Sequence, residues 1–210
     1  MLRHYLDLIG IAVFAISGAI AAGRRGMDVI GVIALGTVTA IGGGTIRDVL
    51  LDRHPIFWLA DPAYLVVIIA AALATIAYTR WRPAPRATLL VADALGLAVF
   101  SVAGAQIAEA GGLPAVSSVL LGTVTGTAGG VLRDVLSAEV PLLFRGGNLY
   151  ASAAVAGTTA YFLLQTAGVA RIAAAQLGIV VCVVLRFAAI WWGLNLPVFT
   201  IVNEAATRKE

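Results

Sequence analysis

The segment LGTVTAIGGGTIRDVL at residues 35–50 returns as LGTVTGTAGGVLRDVL at residues 121–136, with 11 of 16 positions identical and no gap. The same offset of 86 residues aligns Asp7, Gly10, Phe14 and Gly18 with Asp93, Gly96, Phe100 and Gly104, and Pro55 and Tyr64 with Pro141 and Tyr150. A chain that repeats a unit of this length builds one substructure twice and must pair the copies. The unit runs from about residue 5 to about residue 80 and again from about 90 to 166, while residues 172–193 have no counterpart.

Composition fixes the solvent. With 60% hydrophobic and 12% charged residues and a mean hydropathy of +0.97, the chain has too little polar surface to coat a soluble domain of 210 residues, so it belongs in a bilayer. Apolar runs near the roughly 20 residues needed to cross the hydrocarbon lie at 5–22, 29–49, 62–79, 89–108, 115–136, 148–167 and 173–193. Three helices per copy is an odd number, so the second copy enters the membrane from the opposite side. The expectation is an all-α integral membrane protein: seven transmembrane helices as two inverted three-helix repeats plus a seventh helix. The corresponding domains are 1–88, the first repeat; 89–168, the second, inverted repeat; and 169–210, the seventh helix with a short cytoplasmic tail.

The helix boundaries carry recognisable punctuation. Asp61-Pro62 reads as N-cap and first helical residue, Asn148 takes the place matching Pro62, and Gly111-Gly-Leu-Pro114 opens the fifth helix. Arg3 and His4 before an apolar stretch ending in Ala19-Ile-Ala-Ala22 resemble a signal peptide, but the register match of this stretch to residues 93–108 predicts a retained helix. Cys182 lies mid-helix among valines and reads as a small core residue.

Arginine and lysine in the loops predict the orientation. One face receives Arg24, Arg25, Arg80, Arg82, Arg86, Arg133, Arg145, Arg208 and Lys209; the other receives Arg3, Arg47, Arg53 and Arg171. This imbalance places the N-terminus outside and the C-terminus in the cytoplasm. It also explains a pI near 9.4 without any nucleic-acid partner.

The second helix has an unusual centre. Gly42, Gly43 and Gly44 remove side chains for nearly a full turn, and a glycine inside a helix costs about 0.5–1 kcal/mol relative to alanine. The expectation is a bend or break. Carbonyl oxygens freed there are tolerable in a bilayer only against protein or a water-filled cavity, where they can replace part of a cation's hydration shell. Close helix packing suffices to explain an isolated glycine pair. A duplicated triplet flanked by Thr37, Thr39 and Thr45 and followed by Arg47-Asp48 points instead to a pore. The second copy supplies Thr123, Thr125, Thr127, Gly129, Gly130, Arg133 and Asp134, with Ala128 at the place of the first glycine, which predicts a blunter bend in the fifth helix. Singly, each threonine is explained by a bond to the carbonyl one turn back; as a paired set they line a polar path.

Charged residues at membrane depth are costly and usually face a cavity or a partner. Neighbours in a helix point about 100° apart, so neither arginine need pair with the aspartate beside it. The doublets read either as helix ends with snorkelling arginines or as the charged mouths of the path. Asp7 and Asp93 read as acids opening their helices, where the dipole favours them. Arg186, inside the last apolar run, reads as snorkelling toward an interface marked by Trp191 and Trp192, the alternative being a pairing with an acid that the sequence does not identify. His4 and His54 are isolated, so no metal site is expected, and no cofactor or catalytic motif is present in the sequence.

Two three-helix repeats, each with a glycine-rich segment running into Arg-Asp in its second helix, followed by an unpaired seventh helix, resemble the trimeric intracellular cation (TRIC) channel family, in particular its prokaryotic members, whose domain is also labelled a glycine transporter. The resemblance covers essentially the whole chain. It implies a homotrimer with one pore per protomer, bounded by the two glycine-kinked helices and conducting monovalent cations, chiefly potassium, among membrane lipids. A secondary transporter of a small zwitterion such as glycine is the alternative, because inverted repeats with interrupted helices are a carrier design. A trimeric scaffold with closed packing is a third reading.

Overall fold

A computed structural model of the protein describes residues 2–197. Among the described residues eight α-helices follow one another: α1 Leu2–Arg24, α2 Val29–Leu50, α3 Phe57–Ala60, α4 Ala63–Trp81, α5 Arg86–Ala110, α6 Ala115–Leu136, α7 Ala151–Thr166 and α8 Arg171–Trp192. A 3₁₀ turn at Leu142–Phe144 precedes α7. Among the described residues there is no strand, only an isolated antiparallel bridge between Asn148 and Asn195. Arg208 and Lys209, with the tail that carries them, lie outside the described residues.

Six helices, α1, α2, α4, α5, α6 and α8, are long and apolar enough to cross a membrane. The run at 148–167 yields α7, whose 16 residues reach about 24 Å against the roughly 30 Å of a hydrocarbon core. The short α3 falls between the second and third runs, so the fifth helix of the sequence reading is α6.

Local chemistry accounts for the ends. The Asp28 side chain caps α2 by accepting from the amide of Gly31 at 2.7 Å. Asp61 accepts from the amide of Ala63 at 2.9 Å as α4 begins. Gly193 closes α8 in the left-handed conformation, φ 64°, as a helix C-terminus favours.

Packing follows the duplication. α1 lies against α2 and α4, α5 lies against α6 and α7, and the two trios join where α2 meets α6 and α1 meets α5. At this seam Phe14 and Phe100, the same position of the two copies, stack with ring centroids 5.3 Å apart. One buried cluster gathers Ile11, Phe14, Tyr64, Ile68 and Phe100; another gathers Leu97, Leu142, Tyr150 and Cys182, which places the cysteine in the core. α8 packs on α5 and α7. It approaches α7 closely at Gly157 and Gly178, where a methyl on Gly157 would stand 2.6 Å from the carbonyl oxygen of Gly178.

Candidate ion pathway

The glycine segments meet each other. A methyl group on Gly43 would fall on the carbonyl oxygen of Thr125, and one on Gly129 would fall on that of Thr39. The middle position of the triplet in each copy thus receives the backbone of the other copy's helix. Gly42 faces Leu132, Gly44 faces the Phe57 ring, and Gly130 faces Tyr150 and Asp93. A break at the triplet is absent: α2 and α6 run through it as continuous helices. The reason is steric: the space vacated by the missing side chains is filled by the partner backbone, so each helix keeps its own hydrogen bonds while approaching closely.

The threonines follow the local pattern. Thr37, Thr39, Thr45, Thr123, Thr125 and Thr127 donate to the carbonyls of Ile33, Leu35, Ile41, Val119, Leu121 and Thr123, each four residues back, at 2.6–2.9 Å. Thr39 and Thr125 lie beside the crossing and are buried, while Thr45 also accepts from the indole Nε1 of Trp58 at 3.0 Å.

The Arg-Asp doublets are buried and internally paired. Arg47 Nε donates to Asp48 Oδ1 at 2.9 Å and Arg133 Nε to Asp134 Oδ1 at 2.8 Å, so the neighbours do pair, their long side chains bridging the angular separation. The other carboxylate oxygen accepts a loop amide: Phe57 N for Asp48, at 3.0 Å, and Leu142 N for Asp134, at 2.9 Å. Each doublet therefore fastens the segment that follows its helix, and neither arginine snorkels. The Arg47 guanidinium lies 5.4 Å from the centre of the Phe57 ring.

The copies differ beyond this point. Arg133, fully buried, donates to Asp93 Oδ1 at 2.7 Å and to the hydroxyl of Ser17. Tyr150 donates to the same Asp93 oxygen at 3.2 Å. Arg186 is 2% exposed, donates to the carbonyl of Leu149 at 3.1 Å, lies 4.8 Å over the Tyr150 ring and brings NH2 within 3.7 Å of Asp93 Oδ2. Two readings of the sequence are corrected here. Asp7 and Asp93 do not open their helices, which begin at Leu2 and Arg86. Arg186 does not snorkel, because a countercharge stands within reach of its head group. Asp93, Arg186, Ser17 and Tyr150 were not singled out as pathway residues; the signal for Asp93 was a duplicated acid inside an apolar run, a costly placement that implies a partner.

In the first copy the space matching this cluster is open. A pocket of about 470 Å³ is lined by Asp7, Arg47, Arg53, Phe57, Tyr64 and Gly111, at the end of the molecule where α1 begins. At the other end a pocket of about 230 Å³ is lined by Arg24, Arg25, Asp134, Ser137, Glu139 and Arg145. There the Arg25 guanidinium bonds the carbonyl of Ala138 and the carboxylate of Glu139, which also takes Arg145 at 3.2 Å, so an ionic strap crosses the smaller mouth. At the larger mouth the matching positions are Gly111 and Arg53, and Arg53 turns to Asp48 at 3.4 Å.

Fold and site together define a polytopic helical membrane protein in which two copies of one unit cross at paired glycines between two water-accessible pockets. Known proteins with this build are similar in sequence and in shape. The family model described as "Glycine transporter" matches twice, over residues 4–80 and 90–166. The UPF0126 inner membrane protein YadS of Escherichia coli K12 is 46% identical over 209 residues, covering 96% of this chain and 98% of that protein. A UPF0126 membrane protein of Vibrio cholerae is 39% identical over 203 residues, covering 96% and 84%. Among solved structures, the TRIC trimeric intracellular cation channel orthologue of Rhodobacter sphaeroides superposes with a TM-score of 0.87 at 37% identity, covering 92% of this chain and 99% of that one. A prokaryotic TRIC channel crystallised in 0.5 M KCl gives 0.86 at 30% identity, covering 93% and 99%. The chain belongs to the prokaryotic TRIC channel family.

Proposed function

We propose that the protein is a monovalent cation channel permeable to potassium, a homotrimer in which each protomer carries its own path along α2 and α6. One observation carries this reading: the two glycine segments touch backbone to backbone between pockets that open at opposite ends of the protomer. This is the arrangement of a closed path. Sliding or parting the α2–α6 crossing would join the two pockets through Thr37, Thr39, Gly43, Thr123, Thr125 and Gly129, and the carbonyls at the crossing would offer neutral oxygens to a dehydrating cation. The similar solved structures are described as cation channels and as trimeric, which supports the same reading.

The proposal includes seven crossings. α7 serves as the sixth, with residues from Asn148 onward completing its length, and residues 1–88 and 89–168 then form inverted copies. The meeting of Arg24 with the carbonyl of Pro85, at 3.4 Å, supports this antiparallel course, since it sets the end of α1 beside the start of α5. Seven crossings with the basic loops inside leave the N-terminus outside and the C-terminus in the cytoplasm, so the larger pocket faces outward.

The second reading, a carrier for a zwitterion such as glycine, is favoured by one feature: the larger pocket holds an acid, Asp7, together with Arg47 and Arg53, the complement of an ammonium and a carboxylate. A flux assay on purified protein in liposomes separates the two. Potassium flux that does not saturate and is indifferent to glycine is the expected result. Saturable glycine uptake with little independent potassium flux would overturn the channel.

A further inference from the structure

The residues after α8 return to the loop between α6 and α7. Gly193 ends α8 with φ 64°, and beyond it the amide of Leu196 donates to the carbonyl of Gly147 at 2.7 Å, while Asn195 forms an antiparallel bridge with Asn148. Gly147 holds φ 84°, and a methyl on it would stand 3.3 Å from the Asn195 side chain. α8 adds a second tie to the same loop, where Arg186 donates to the carbonyl of Leu149 at 3.1 Å.

The first copy shows what the unit does without these ties. Moved back by 86 residues, Gly147 and Asn148 become Asp61 and Pro62, and α4 begins at Ala63 with Asp61 accepting its amide. By the same register α7 would begin at Leu149, yet it begins at Ala151 and has no side-chain cap. Two residues are withdrawn from the helix, and the backbone groups released there must be paired elsewhere, which the bridge to Asn195 begins to do. The same loop carries Arg145, two residues before Gly147. Its guanidinium bonds the carbonyl of Val140 and the carboxylate of Glu139, which also takes Arg25 across the narrow mouth. In the first copy, which has no counterpart of α8, the corresponding mouth measures about 470 Å³ against about 230 Å³.

We infer that residues 194–197 are an autoinhibitory clasp: by pairing with Gly147 and Asn148 they hold the α6–α7 loop, and with it the strap of Arg145, Glu139 and Arg25, across the narrow mouth. Unpairing the clasp frees the loop and opens that mouth. The clasp is built to release, because a single short pairing is marginal and Leu194 and Leu196, on either side of Asn195, are both exposed. The inference rests on the channel reading for its consequence, ion flow, and on geometry for its cause, the closing of the mouth.

The test uses the full chain in liposomes, in a Cys182→Ala background. Leu196→Pro removes the amide that donates to Gly147, whereas Leu196→Ala keeps it. Ser137→Cys, buried in the wall of the narrow mouth, reports opening by its rate of reaction with a membrane-impermeant methanethiosulfonate. The expected result is a rate raised about fivefold by Leu196→Pro, the change in population that losing one ordinary hydrogen bond allows, and left unchanged by Leu196→Ala. In parallel, Asn148→Cys with Asn195→Cys, without the reporter, locks the clasp. The bond from Leu196 to Gly147 makes these two a non-hydrogen-bonded pair, whose α-carbons lie about 4.5 Å apart, within reach of a disulfide. Potassium flux is expected to fall about fivefold or more on oxidation and to return on reduction. Equal reaction rates in the two Leu196 variants, or flux indifferent to the disulfide in a protein that conducts, would overturn the clasp. A rate that follows Leu196→Pro in a protein with no potassium flux would support the clasp and overturn the channel instead.

Discussion

Asp7 and Asp93 hold the same position of two like helices, yet one lines an open pocket and the other is fully buried against Arg133 and Arg186. The difference makes a sharp comparison of stabilities. Asp93→Asn leaves two buried guanidinium groups with a countercharge removed and is expected to cost about 3–5 kcal/mol in unfolding free energy, a loss measurable by denaturation in mild detergent. Asp7→Asn is expected to cost less and to act on permeation, shifting the reversal potential in a potassium chloride gradient toward weaker cation preference. An unchanged reversal potential would remove Asp7 from the path. The glycines allow a second comparison. Gly43→Ala places a methyl on the Thr125 carbonyl and is expected to destabilise by about 1–3 kcal/mol, whereas Gly23→Ala meets nothing within 4 Å and is expected to be neutral or to stabilise by up to about 1 kcal/mol. Equal loss at both positions would mean that the crossing is not the tight contact described.

Among the elements, most of the fold was legible in the sequence, because a bilayer converts apolar run length directly into helix position. The start of α4 at Asp61-Pro62 was legible for the same local reasons that make it form. What was not legible came from contacts between elements. Three glycines in one helix mark a weak point, but whether another helix crosses there depends on the partner backbone, which a single helix does not reveal. Arg186 lies on the one helix without a counterpart, so no register linked it to Asp93. α3 and the 3₁₀ turn escaped because four and three residues carry no periodicity; both follow a Pro-containing loop fastened by an Arg-Asp doublet. At this scale the prediction concerns α8. Gly178→Val should lift α8 from α7, cost about 1–3 kcal/mol and expose α8 to protease, since its β-carbon alone would stand 2.7 Å from the Gly157 carbonyl oxygen and 3.2 Å from Tyr161. Resistance to protease equal to that of the parent would show α8 held by its ends alone.

For the molecule as a whole, a duplicated chain whose two copies had remained alike would present like openings at its two ends. They have not. One mouth is broad and carries Asp7 beneath Gly111; the other is narrow and crossed by the contact of Arg25 with Glu139. That contact is exposed and of the kind worth little in stability, about 0–1 kcal/mol, and it is weakened by salt. Its effect belongs to traffic through the opening. The broad mouth sets Asp7 beside Arg47 and Arg53, and the strapped mouth sets Arg24, Arg25 and Arg145 against Glu139, so a cation meets unlike charge at the two ends and the barrier profile is lopsided. In symmetrical potassium chloride the protein is therefore expected to rectify, passing more current in one direction than the other, and Glu139→Gln should change the curvature of the current–voltage relation more than its slope at the origin. A straight relation in the parent would mean that two unlike doors admit ions equally well.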